Sequence, residues 1–164
     1  MQRNQSEKSL RPLPHSASNH SFGCGQANRT GLRLRFFVDE EGSVVSRFKA
    51  PRRFEGPPGY MHGGAIATLM DEAMSKACRA RNVVAMTRQM EVEYLRPVPL
   101  GEPLVLEGTH VRHDRRKHSC EASVKLSDGT VLARARGIFI AIDVEKMFPA
   151  HAPGATSSSA ARSS

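Results

Sequence analysis

Hydrophobic and polar positions change their spacing along the chain, and the changes predict two strands, one helix and then more strands. Apolar residues alternate with polar ones at residues 32–38 and 43–49, with an acidic, glycine-containing turn between them, which predicts an antiparallel hairpin. Residues 64–81 are an unbroken run of helix formers with apolar side chains at helical spacing. Four further strand-like segments follow, at about 83–95, 103–112, 117–126 and 130–142.

The residues of the predicted helix are small on almost every side, which indicates a helix closely wrapped by a sheet. The end of the last segment is apolar on both faces, so this strand is expected to be central or buried between layers. The four segments after the helix are expected to form an antiparallel meander. One helix cannot cover both faces of six strands, so the uncovered face or the sheet edge predicts an oligomer.

The length of 164 residues fits a single domain. We expect residues 1–21 to be a flexible tail, residues 22–148 the folded domain and residues 149–164 a disordered tail, because both ends are polar and rich in Pro and Ser. No apolar run has the length of a membrane span, and the N-terminus lacks the apolar core of a signal peptide. Three cysteines without a Cys-x-x-Cys spacing favour a cytoplasmic location over a disulfide framework.

The net charge of +8 is compatible with a nucleic-acid surface or with a polyanionic ligand such as a nucleotide-like group. Aromatic residues make up only 5% of the chain and Trp is absent, so platforms for stacking bases are scarce. The charge alone therefore predicts a solvated, mildly basic surface, and no nucleic-acid partner is expected.

The stretch with the clearest chemical character opens the helix. A loop rich in Pro and Gly at residues 56–59 leads into His62, Gly63 and Gly64, and Asp71 follows in the middle of an otherwise apolar helix. A helix start offers free backbone N–H groups and a positive dipole end, and glycine allows close approach of a ligand. A buried carboxylate is costly unless it is paired or used, so Asp71 requires an explanation.

Four sequence features occur in order along residues 22–145. They are a Cys-Gly…Asn…Gly-Leu segment at residues 22–32, His62-Gly63-Gly64 followed by Asp71, Met86-Thr87 opening a strand that ends at Tyr94-Leu95-Arg96-Pro97, and a strand–turn–strand at 118–135. In this combination the chain resembles the hotdog-fold thioesterase superfamily, in particular the PaaI-like acyl-CoA thioesterases. The resemblance implies an α+β hotdog fold, an antiparallel sheet of about six strands wrapped around one long central helix.

The resemblance also implies roles for the residues of the helix. Asp71 would be the general base or nucleophile of thioester hydrolysis, and the Gly63 backbone N–H would donate to the oxyanion. Gly64 would line the same substrate pocket, and His62 would orient the thioester or its loop. Glu72 points about 100° away from Asp71 on a helix and is expected in solvent or in a salt bridge.

Residues outside the helix are implied as well. Thr87 would help to place the attacking water, and Asn28 would contact the substrate. Strict alternation puts Thr87 on the face of Gln89 and away from Met90, so either the strand is bulged near its start or that face meets a partner chain.

The basic turn Arg115-Arg116-Lys117 would bind the phosphates of coenzyme A, although a solvated turn is an equally good interpretation. No cofactor is expected beyond the coenzyme A thioester as substrate. No metal site is expected, because alternation places His110 and His113 on opposite faces.

Helical geometry constrains the site. Nine residues separate His62 from Asp71, which in one helix puts them on opposite faces and ~13 Å apart along the axis. A homodimer or a dimer of dimers, with His62 and Gly63 from one chain and Asp71 from the other, resolves this and agrees with the family resemblance.

The sequence is compatible with other functions. The same fold can bind or sense an acyl-CoA without cleaving it, or can act as a hydratase or dehydratase. Asp71 can also be a hydrogen-bonded structural residue.

Overall fold

A seven-stranded antiparallel sheet wraps one long helix in the computed structural model, which describes residues 9–149. The strand order across the sheet is β1-β2-β3-β5-β6-β7-β4. This confirms the predicted α+β architecture, with one strand more than expected. The elements are β1 (Arg11–Pro12), β2 (Phe37–Val38), β3 (Val44–Lys49), α1 (Gly63–Arg79), β4 (Ala85–Tyr94), β5 (Pro103–Asp114), β6 (Lys117–Leu126), β7 (Val131–Ala141) and α2 (Val144–Met147), with a 3-10 turn at Arg52–Phe54.

Helix α1 is the centre of the core. It begins one residue before the predicted start, after His62 as N-cap, and ends with Lys76 and Arg79 in its last turn, where cations suit the helix dipole. Its buried residues lie on more than one face, because the curved sheet surrounds the helix. They are Ile66, Leu69, Met70, Ala73, Met74, Ala77 and Cys78.

The helix approaches the sheet most closely at Gly108 in strand β5. A Cβ atom added there would overlap the carbonyl oxygen of Ala73 in the middle of α1 and would lie 3.0 Å from a methyl group of Val44. The sequence prediction of a closely wrapped helix therefore has a specific physical basis, which is backbone-to-backbone contact at a glycine.

Replacing Gly108 with Ala is expected to lower the free energy of unfolding by about 1–3 kcal/mol, at the upper end because the obstructing atom belongs to the backbone. The measurement is urea denaturation followed by circular dichroism. The matched control is Gly63→Ala, where an added Cβ would meet the Tyr94 ring at an ordinary 3.7 Å. Equal losses in both variants would contradict the close approach at Gly108.

The first predicted strand is much shorter than the alternation suggests. Only Phe37–Val38 pairs with β3, because Arg33 has a positive φ of 53° that interrupts the extended run. The backbone N–H groups of Leu32 and Leu34 donate instead to the carbonyl oxygens of Phe22 and Gly23 in the preceding loop, at 2.8 and 3.0 Å.

The meander is also smaller than expected. Strands β5, β6 and β7 follow one another in the sheet, but β4 pairs with β7, and β5 pairs with β3. Strand β4 is consequently an edge strand, with no second strand beside it among residues 9–149. This placement matters for function because β4 carries Thr87.

The sheet face that turns away from α1 is polar. Arg134 pairs with Glu93 at 2.6 Å and Arg136 pairs with Glu91 at 3.8 Å across β7 and β4. Solvent can cover such a face, so the free edge of β4, rather than an uncovered apolar face, favours an oligomer.

The expected tail at residues 1–21 is partly ordered. Strand β1 pairs with β2, Leu13 is buried, and the Leu13 N–H donates to the Phe36 carbonyl oxygen at 2.9 Å. Residues 1–8 and 150–164 of the two expected tails lie outside the described residues. Within residues 9–149, no helix combines the length and the apolar character that crossing a membrane requires.

Candidate active site

The segment that leads into helix α1 is fixed on two sides by backbone hydrogen bonds. The Met61 N–H donates to the Val98 carbonyl oxygen at 2.9 Å, and the His62 N–H donates to the Phe54 carbonyl oxygen at 2.8 Å. The Pro- and Gly-containing turns on either side supply the sharp bends that this arrangement needs. Backbone hydrogen bonds alone therefore hold the start of the helix in place.

His62 caps the helix with its side chain. Its Nδ1 atom accepts a hydrogen bond from the Gly64 N–H at 2.9 Å, so the ring proton of the neutral imidazole is on Nε2. The Gly63 N–H has no hydrogen-bond partner among residues 9–149. Of the two glycines named by the sequence, Gly63 therefore presents the free donor, and the Gly64 N–H is already used.

A tyrosine that the sequence analysis did not assign to the site contacts this helix start. The Tyr94 hydroxyl at the end of β4 donates to the Gly63 carbonyl oxygen at 3.0 Å. Tyr94 lies on the same face of β4 as Met90 and Val92, and this alternation is the one sequence signal that could have directed it toward the helix.

The second half of the site lies in the middle of the helix. The Thr87 hydroxyl donates to Asp71 Oδ1 at 2.5 Å. A bulge between Thr87 and Gln89 makes this contact possible, because it shifts the register of β4 against β7 and turns Thr87 toward α1. The first of the two explanations offered for Thr87, a bulged strand start, is confirmed.

The two halves of the site do not meet within one chain. Gly63 and Asp71 are eight positions apart in a continuous helix, which separates them by ~12 Å along its axis. The separation predicted from the sequence is thus present in the folded chain. Along the free edge of β4, Met86 and Tyr94 keep about half of their surfaces exposed, 50% and 52%.

Glu72, the acid beside Asp71, has a structural partner. It forms an ion pair with Lys76 at 3.2 Å, and both side chains are largely buried beneath the loop that carries Cys24. Burial lowers the pKa of Lys76, but the Glu72 carboxylate and the Cys24 side chain beside it together more than offset this, so the pKa is raised. Burial and a hydrogen bond to Glu72 raise the pKa of Cys24, so this thiol is a packing residue and a poor nucleophile.

Asn28 organises its own loop. Its side-chain oxygen accepts hydrogen bonds from the backbone N–H groups of Thr30 and Gly31, at 3.1 and 3.2 Å. Its side-chain nitrogen donates to the His20 carbonyl oxygen at 3.3 Å. These bonds occupy both ends of the amide, and contact of Asn28 with a substrate stays a prediction.

The basic turn joins β5 to β6 and is exposed. Arg115 takes a positive φ of 53° at its tip, and the Arg116 Nε–H donates to the Ala141 carbonyl oxygen at 2.9 Å. Lys117 pairs with Ile140 of β7, which in turn pairs with Met86 of β4. The turn is therefore about two strand spacings, roughly 10 Å, from the strand segment that holds Thr87.

Three histidines cluster near this turn, contrary to the alternation argument. A register shift between His110 and Arg112 brings His113 to the face of His110, and His110 Nε2 lies 2.9 Å from His118 Nδ1. Burial lowers the pKa of both His110 and His118, which keeps the buried pair neutral. Within residues 9–149, no group of three or more His, Cys, Asp or Glu side chains is arranged to hold a metal ion.

Residues 58–133, which include the helix and both half-sites, match the sequence profile of the thioesterase superfamily. The chain is 31% identical to the mouse (Mus musculus) acyl-coenzyme A thioesterase THEM4 over 112 residues, 68% of this chain and 48% of that protein. The chain thus spans about half the length of this relative.

Solved structures have the same fold. A thioesterase superfamily protein of known crystal structure superposes with a TM-score of 0.71 and 31% identity, covering 74% of this chain and 60% of that one. The E. coli PaaI protein gives a TM-score of 0.62 over 67% of this chain and 80% of its own. At 19% identity, the PaaI comparison concerns the fold alone.

Proposed function

The chain belongs to the thioesterase superfamily, and from this premise we propose that it hydrolyses an acyl- or aryl-coenzyme A to the free acid and coenzyme A. The observation that carries the proposal is the pair of groups on helix α1. Gly63 offers a backbone N–H without a partner among the described residues, and Asp71 offers a carboxylate oriented by Thr87. Thioester hydrolysis requires one donor and one acceptor of this kind.

In the proposed reaction the Gly63 N–H donates to the thioester carbonyl oxygen, whose negative charge grows as the carbon becomes tetrahedral. The positive end of the α1 dipole favours the same charge. Asp71 either removes a proton from the attacking water or attacks the carbonyl carbon itself. In both cases the carbon–sulfur bond breaks, water supplies the oxygen of the acid, and coenzyme A leaves as the thiol.

We propose that the complete site forms between two copies of the chain. The free edge of β4 can add a second β4 antiparallel to it, and Tyr94 and Met86 would then be covered. Antiparallel pairing of two β4 strands creates a two-fold axis beside the helices. This symmetry would place Gly63 of one copy near Asp71 of the other. A dimer of dimers is compatible with the same contact.

Mixing two inactive variants is expected to restore activity. Gly63→Pro removes the donor and Asp71→Asn removes the acid, and a mixed dimer of the two chains contains one intact site. Random pairing at equal amounts should recover about one quarter of the wild-type rate of thiol release per chain. The measurement uses co-expressed chains that carry two different purification tags.

The control for this experiment is each variant paired with itself, which should stay inactive. A mixed dimer with no recovered activity would place Gly63 and Asp71 of one site in the same chain, against the proposal.

The primary test of function is thiol release from a panel of acyl- and aryl-CoA esters by the wild-type chain. Binding without release for every ester would instead support a sensing module.

Arg115, Arg116 and Lys117 are proposed to bind phosphates of coenzyme A, since the turn lies at the end of the sheet that holds Thr87. Positive charge on this exposed turn favours encounter with the anionic substrate, and this attraction becomes weaker as salt is added. A cytoplasmic location stays a prediction from the cysteine usage.

A further inference from the structure

We propose that Tyr94 is a positioning residue that fixes the oxyanion donor at the start of α1. The inference rests on the proposed thioesterase function, since it concerns the orientation of the Gly63 N–H. It names a residue that neither the sequence pattern nor the comparisons assign to the site.

The two peptide groups that flank the Gly63 Cα atom are held by different partners. The preceding peptide carries the free Gly63 N–H, and its carbonyl group on His62 accepts from the Ile66 N–H at 3.1 Å. The following peptide consists of the Gly63 carbonyl group and the Gly64 N–H. Tyr94 donates to the first at 3.0 Å and His62 accepts from the second at 2.9 Å.

This arrangement compensates for the freedom of a glycine. Gly63 and Gly64 have no side chains to restrict their backbone angles, so an unrestrained first turn would sample many directions for its free N–H. Fixing the following peptide at both of its ends restricts the ψ angle of Gly63. The donor is thereby oriented before the substrate arrives, which is what electrostatic stabilisation of an oxyanion requires.

The geometry favours positioning over direct catalysis. The hydroxyl proton of Tyr94 is directed at the Gly63 carbonyl oxygen, so it is not available to the substrate in this arrangement. Its ring also lies 3.7–3.8 Å from the place that a Gly63 Cβ would take, close enough to limit movement of the helix start.

Strand β4 links this contact to the other half-site. It places Tyr94 on Gly63 at its end and Thr87 on Asp71 near its start. Both halves are thus oriented from one edge strand, and that strand is the edge proposed to meet the second copy.

The experiment compares Tyr94→Phe with the wild type. The variant keeps the ring and removes only the hydroxyl, so kcat should fall about 10-fold, as expected for a lost oriented hydrogen bond, while KM changes less than about twofold. The matched control is Tyr60→Phe, because the Tyr60 hydroxyl has no hydrogen-bond partner among residues 9–149 and Tyr60 is the only other tyrosine. An unchanged kcat in Tyr94→Phe, or a loss confined to KM, would overturn the inference.

A second readout does not depend on activity. Hydrogen exchange of the Gly64 amide, measured by NMR, should be faster in Tyr94→Phe by about fivefold or more and unchanged in Tyr60→Phe, because local opening of the first turn becomes easier. If the wild type cleaves no ester, the proposed function fails while this measurement still tests the positioning role. Equal exchange of the Gly64 amide in the wild type and Tyr94→Phe would overturn the positioning role.

Discussion

Replacing Asp71 with Asn is expected to lower kcat/KM for acyl-CoA hydrolysis by about 1,000-fold or more, in the range that loss of a general base or nucleophile produces. Asn has the size of Asp, and its side-chain oxygen can still accept the hydrogen bond from Thr87. It can neither take a proton from water nor attack the thioester. The measurement is the steady-state release of the coenzyme A thiol.

The same substitution at Asp128 is the matched control. Asp128 lies in the exposed turn after β6, at the end of that strand opposite Lys117, and Asn can replace it as the acceptor for the Thr130 N–H. We expect Asp128→Asn to retain wild-type activity. An Asp71→Asn variant that keeps more than about a tenth of the wild-type activity would support the structural role for Asp71 and contradict the catalytic one.

Much of the fold could be predicted because its signals are local. The helix bounds follow from apolar spacing and the glycine pair, and the last three strands follow from alternation and from the turn Ser127-Asp128-Gly129 between β6 and β7. The predicted length of the strand at residues 32–38 was wrong, because the backbone of Arg33 adopts a positive φ and its neighbours form hydrogen bonds with the N-terminal loop. Alternation records which side chains face inward, and it does not record which backbone partner a segment chooses.

The same limit explains which residues of the candidate site could be placed from the sequence. His62, Gly63 and Asp71 lie close together in sequence, so their relative positions on a helix could be calculated from helical geometry alone. Thr87 could be placed only with the bulge, which breaks the alternation that strands otherwise obey. Tyr94 reaches Gly63 because β4 pairs with β7 beside the helix, a long-range choice that no local pattern contains.

The edge position of β4 also separates the two reasons for expecting a dimer. The sequence suggested that an uncovered sheet face or the sheet edge needs a partner, and the ion pairs of Glu91 and Glu93 make that face polar. A strand of ten residues whose outer edge pairs with no strand among residues 9–149 is the stronger reason, because its N–H and carbonyl groups can pair with another strand. The ~12 Å between Gly63 and Asp71 along the axis of α1 also favours a site that two copies of the chain share.

Replacing Gly63 with Pro should remove the oxyanion donor while leaving the helix in place. Gly63 is the first residue of α1, the position at which proline is well tolerated because its missing N–H has no partner in the helix. The preceding residue, His62, has φ −64° and ψ 138°, the extended conformation that proline requires before it. An added Cβ would meet the Tyr94 ring at an ordinary distance of 3.7 Å.

The Gly63→Pro variant is therefore expected to lose about 100- to 1,000-fold in kcat, the loss found when one oxyanion donor is removed. Gly63→Ala adds a Cβ but keeps the N–H, so it should lose much less activity than the Pro variant and serves as the matched control for the added atoms. Circular dichroism and thermal unfolding of both variants report whether α1 is intact. Equal activity of the Pro and Ala variants would show that the Gly63 N–H does not stabilise the oxyanion, because the two differ at this position chiefly in that hydrogen.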